Sequence, residues 1–172
     1  MERTEWLNRL EALHVRIREG QAVGEDERAW YRTARARLLG AAVEVQARTV
    51  AGSARPRHSI RVARPVPVLL EAGAWSQHAQ TIDLGTGGFA VFLEEPPPVD
   101  DWIRATMLLS GGAPATVTVA LADTRSVSGM IRVAFRFSEA QEAIASRVED
   151  AMMDGILDQL VFWDDVLGRL DE

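Results

Sequence analysis

The hydrophobic period of this chain changes twice, and the changes divide its 172 residues into three stretches that cannot share one secondary structure. In the first fifty residues the period is helical. Trp6, Leu10, Leu13 and Ile17 recur at intervals of four, three and four, which places them on one helix face. Gly20 is positioned to end that helix, and Glu25, Asp26 and Glu27 crowd the first turn of a second, where the helix dipole favours negative charge. Trp30, Ala34, Leu38, Ala41 and Val45 give the second helix its apolar face, so residues 1–52 are expected to form a helical hairpin. His14 is expected on the helix surface.

From residue 65 the period falls to two. Six stretches (65–71, 78–84, 88–94, 101–109, 115–123 and 130–137) are rich in Val, Ile, Thr and aromatic residues and are separated by Gly- and Pro-rich turns. The last alternates cleanly, with Ile131, Val133, Phe135 and Phe137 on one face and Arg132 and Arg136 on the other. Six short strands with no helix between them imply an antiparallel sheet curled into a barrel. Ser138 and Gln141 then form a capping box, after which Ile144, Val148, Met152, Ile156, Leu160, Trp163, Leu167 and Leu170 return to helical spacing. Gly155 is the place where that helix is expected to be interrupted. The reading is an α+β chain: a hairpin over 1–52, a six-stranded barrel with an Arg-rich leading linker over 53–137, and an amphipathic helix over 138–172.

Composition removes several function classes. The chain has no cysteine, which excludes disulfides and thiolate metal sites, and no apolar run approaches the roughly 20 residues of a membrane span. Its start is charged throughout and lacks a signal-peptide core, so a cytoplasmic protein without membrane insertion is expected. The three histidines have no metal-ligand spacing, and no nucleophile elbow, phosphate-binding loop or zinc-protease motif occurs. No enzyme activity and no metal are expected. A net charge of −6 argues against nucleic-acid binding.

Against that acidic background the stretch RPRHSIR (55–61) stands out, because residues 53–64 contain four arginines and no acid. All basic residues of the chain are arginine, as expected of a GC-rich genome, so the choice of Arg over Lys says little. About twenty residues later comes DLGTGG (83–88), whose glycines permit backbone conformations closed to other residues and leave N–H groups open to a ligand. Taken alone, such a turn is a tight hairpin. The two in order, RxxxR over Arg57 to Arg61 and then DxGxxG over Asp83 to Gly88, resemble the PilZ domain family, and the likeness extends over residues 53–140.

That resemblance implies a PilZ-like barrel and a non-catalytic receptor for cyclic di-GMP. Arg57 and Arg61, with Arg55 and His58 beside them, would face the phosphates and guanines, since guanidinium groups bond bidentately to phosphate or to the guanine O6/N7 edge. Asp83 would accept from the guanine N1–H and N2–H₂ edge, and Gly88 would let the loop close on the ligand. The sequence departs from the motif at Gly85, where the family has serine. One lost hydroxyl bond is worth roughly 0.5–1.5 kcal/mol, up to about tenfold in affinity. Pro56 also stands where many relatives have another arginine, with Arg55 shifted in register. A second reading therefore stays open: a PilZ-like adaptor that binds no nucleotide and serves motility or surface-attachment machinery. In either case the apolar helix faces imply that the hairpin packs with the C-terminal helix, within one chain or across a homodimer, an exposed stripe being otherwise a site for a protein partner.

Overall fold

The computed structural model describes residues 3–49, 60–98, 102–109, 112–138, 142–159, 166 and 168. The chain divides into two compact units, residues 61–155 and residues 1–60 together with 156–172.

The first unit is built on seven antiparallel strands: β1 (Arg61–Val62), β2 (Pro67–Ala72), β3 (Trp75–Gly85), β4 (Gly88–Leu93), β5 (Ile103–Met107), β6 (Ala115–Val127) and β7 (Met130–Phe137). Six of them close on themselves. The order β3-β2-β5-β6-β7-β4 returns to its start because β3 also pairs with β4. Inward residues fill the barrel: Val68 and Leu70, Leu84, Phe89 and Val91, Ile103 and Met107, Val117 and Val119, Val133 and Phe135 are all buried. Phe89 lies 5.4 Å from Phe135 and 5.9 Å from Phe137, centroid to centroid, a favourable tilted cluster.

The expected strands are present with altered ends. β3 starts at Trp75 because Gly73, at φ 57°, lets a two-residue turn join it to β2. β6 runs on to Val127 because Ser128 and Gly129, both at positive φ, make the two-residue turn whose twist matches a hairpin. β5 is shorter than expected, and Trp102 before it is 71% exposed.

β1 has no counterpart in the expected strands. It pairs with β3 beyond the point where β2 leaves it, Arg61 opposite Gly85 and Val62 opposite Leu84. Thr81 fixes the chain that follows. Its hydroxyl accepts from the Val66 N–H at 2.8 Å and donates to the Arg64 carbonyl, while its own N–H donates to the Val66 carbonyl at 3.0 Å. Arg61 thus sits in a strand and not in a linker.

Helix α3 (Glu142–Gln159) passes through Gly155 without a break. That glycine answers to packing: a Cβ there would lie 2.7 Å from Cγ1 of Val62. Ala151, Met152, Met153 and Asp154 are buried beside it, and Asp154 meets Arg64 at 3.5 Å. The Ser138 hydroxyl donates to the Thr118 carbonyl at 2.7 Å. Gln141, the other half of the expected capping box, lies outside the described residues.

The second unit contains α1 (Arg3–Arg18) and α2 (Glu25–Thr49). α1 ends in a Schellman motif, with the Gly20 N–H on the Ile17 carbonyl, the Gln21 N–H on the Arg16 carbonyl, and Gly20 at φ 70°. At the start of α2 the Glu27 carboxylate reaches back to the Gly24 N–H at 3.1 Å and pairs with Arg16 at 2.9 Å. Both bonds hold the Glu27 carboxyl below the ordinary glutamate range, the Arg16 hydrogen bond first and the Gly24 N–H second.

His14 is buried, contrary to its expected surface place, because Leu10 and Leu13 define a face that includes position 14. A hydrogen bond of 2.7 Å joins its Nδ1 to the Tyr31 hydroxyl, so the polar ring has a partner inside. Leu10 and Leu38 have no exposed surface. The buried Ile156 and Val166 belong to the same unit.

Candidate ligand site

The outer face of the barrel at the end of β3 gathers the charged residues. Along β3, Thr81 is buried and strict alternation would send Asp83 to the same side. A bulge between them shifts the register, so that Thr81 faces Val91 but Asp83 faces Ala90. Leu84 then takes the inward position, fully buried, and Asp83 turns to the outer face.

Two guanidinium groups meet Asp83 there. Arg61 of β1 donates from Nη1 to Oδ1 at 2.5 Å, and Arg132 of β7 donates from Nη2 to Oδ2 at 2.8 Å. The three side chains are 20–27% exposed, open enough for a ligand to reach and sheltered enough for charge to matter. Asp83 thus holds two guanidinium groups, one on each carboxylate oxygen. Arg136 stands four residues along the same face of β7, opposite Gly88, and is exposed.

The glycines divide in role. Gly88 has φ 152°, and a Cβ on it would collide with the backbone oxygen of Phe135 and come within 3.0 Å of Cα of Arg136. Its bareness is required by the approach of β7 within the barrel. Gly85 is buried, pairs with both Arg61 and Gly88, and is not among the residues with left-handed backbone angles. A side chain is therefore allowed by its φ.

Of the residues singled out in the sequence, Arg61, Asp83, Gly85 and Gly88 come together at the β1–β3–β4 junction. Arg55, Arg57 and His58 lie outside the described residues. Arg132 was readable in the sequence only as an outward residue of its strand; its partner was not. A groove of about 490 Å³ on the outer side of β2, β3 and β5, lined by Leu69, His78, Thr106 and Leu108, shares no residue with this cluster. Among the described residues no three His, Asp or Glu side chains are grouped to hold a metal, and no helix is long and apolar enough to cross a membrane.

The PilZ domain family model matches residues 55–153, more than half of the chain. The chain belongs to the PilZ family. PilZ domains are non-catalytic receptor or effector modules. A comparison with curated proteins finds no match. Among solved structures, the fold is similar to that of the Bacillus subtilis inhibitor of motility MotI/DgrA, with TM-score 0.52 and 12% identity over 62% of this chain and 53% of that one. It is also similar to Escherichia coli YcgR, solved in complex with c-di-GMP, with TM-score 0.51 and 17% identity over 65% of this chain and 51% of that one. The match thus spans about half the length of each relative, and at these identities it establishes the shared barrel.

Proposed function

We propose that this PilZ domain is a receptor for cyclic di-GMP without catalytic activity, acting in the cytoplasm and passing the binding event to its helices and through them to a protein partner or a second copy. The observation that carries the reading is the junction of the two motifs. Strand β1 brings Arg61, the last residue of RxxxR, to 2.5 Å from Asp83, the first of DxGxxG. A phosphate-binding cation and a guanine-edge acceptor then stand side by side on an accessible face. YcgR, which shares the barrel, was solved with this nucleotide bound. Arg55, Arg57 and His58 complete the site in this reading.

The same short strand supplies a route to the helices. Arg61 belongs to the site, while its neighbour Val62 packs against Gly155 of α3, the helix that runs on into the second unit.

Titration calorimetry of the whole chain tests the reading. Cyclic di-GMP should bind at micromolar concentration or tighter, and cyclic di-AMP should bind far more weakly, since adenine lacks the N1–H that Asp83 would accept. Equal heats from both, or none from either, would leave the adaptor reading. One observation favours that alternative: Gly85 replaces the motif's serine, and with it goes a hydroxyl donor to the ligand.

A further inference from the structure

We infer that Arg132 is a positioning residue that sets guanine selectivity by fixing the Asp83 carboxylate; the inference rests on the proposed cyclic di-GMP reading. An ionised carboxylate offers about four acceptor positions on two oxygens. In the free protein Arg61 occupies one on Oδ1 and Arg132 one on Oδ2, so about two remain, one on each oxygen. That is the arrangement a guanine Watson–Crick edge requires, because N1–H and one N2–H donate in parallel to two oxygens of a single carboxylate.

Arg132 reaches its place by crossing a strand. Asp83 of β3 stands opposite Ala90 of β4, Ala90 stands opposite Ala134 of β7, and Arg132 lies two residues from Ala134 on the same face. The two alanines put nothing bulky in the rung between acid and arginine. Without Arg132, one oxygen of Asp83 loses its anchor, and the carboxylate can rotate about its remaining contact with Arg61. Both oxygens would then be drawn from the guanine edge, while the phosphate-binding arginines would stay in place.

The consequence is specific to the base. Removing Arg132 should lower affinity for guanine, which loses two bonds to Asp83, more than for a base that donates only its N1–H there. The experiment compares cyclic di-GMP with cyclic di-IMP, whose hypoxanthine lacks only the 2-amino group, on the full chain. The unmodified protein should prefer cyclic di-GMP by roughly tenfold or more. Arg132→Met keeps the apolar stem and removes the charge; both nucleotides should weaken, cyclic di-GMP the more, so that the preference falls to within about threefold. Arg132→Lys, which restores a donor, should recover part of the preference. In an Asp83→Asn background, Arg132→Met should change the ratio no further.

Equal weakening of both nucleotides in Arg132→Met would make Arg132 a direct phosphate contact and overturn the inference. An unchanged ratio would overturn it too, as would a lower melting temperature in both variants with the ratio intact, which marks an ion pair serving the fold alone. Failure of the unmodified protein to bind either nucleotide overturns the receptor reading itself, and this inference with it.

Discussion

Replacing Arg61 with alanine separates two roles held by one guanidinium. In the free protein it pairs with Asp83, with the two side chains 27% and 20% exposed. Removing one member of a fully buried pair costs roughly 3–5 kcal/mol because the survivor is orphaned, whereas exposed pairs are worth about 0–1 kcal/mol. Asp83 is not orphaned here, since Arg132 remains on its other oxygen at 2.8 Å. The pairing of residue 61 with Gly85 is made by the backbone and survives the substitution. The loss therefore falls near the exposed limit, about 1 kcal/mol, or roughly 2–4 °C in Tm for a chain of this size.

The effect on ligand binding should be larger. A hydrogen bond between charged groups contributes about 1.5–3 kcal/mol, so affinity for cyclic di-GMP should drop roughly ten- to hundredfold. Thermal melts with and without nucleotide read both effects together. Ligand at a hundred times Kd stabilises the unmodified protein by about 2.7 kcal/mol, a rise of roughly 5–10 °C. At the same concentration, a variant about thirtyfold weaker should rise by only about 2–3 °C. The reasoning fails if Arg61→Ala melts more than about 10 °C lower without ligand, or if ligand raises both proteins equally.

Three further outcomes follow from single residues. Gly88→Ala should destabilise the barrel by roughly 2–5 kcal/mol, since the new methyl meets the Phe135 backbone oxygen, which cannot swing aside; a urea midpoint close to that of the unmodified protein would refute the packing argument. Gly85→Ser restores the family hydroxyl at a position whose φ accepts a side chain, and calorimetry should show cyclic di-GMP binding up to about tenfold tighter. Glu27 has a lowered folded-state pKa, so its contribution is complete above the ordinary value of 4.5 and is lost as pH falls through the lowered value. Melts taken at decreasing pH should accordingly show a shallower acid loss in Glu27→Gln, and identical profiles would exclude the Arg16 pairing as a source of helix-hairpin stability.

The barrel was legible because burial on one face imposes a period of two, which β2, β5 and the first half of β6 carry in their own residues. β1 was not, since two residues show no alternation, and Arg61 becomes a strand residue only because β3 outruns β2 and leaves an edge for it. His14 was misplaced for a similar reason: its partner Tyr31 lies seventeen residues away on another helix. Asp83 is the most instructive case. Counting alternate residues along β3 from the buried Thr81 puts Asp83 inside the barrel, and only the extra residue of the bulge turns it outward. The motif resemblance singled out Asp83, but its electrostatic setting comes from barrel closure, which brings Arg132 across β4 from a strand 49 residues further along. A site whose acid is oriented by a bulge and held by a long-range arginine leaves no local pattern in the sequence, because the contact that defines it exists only after the last strand has paired.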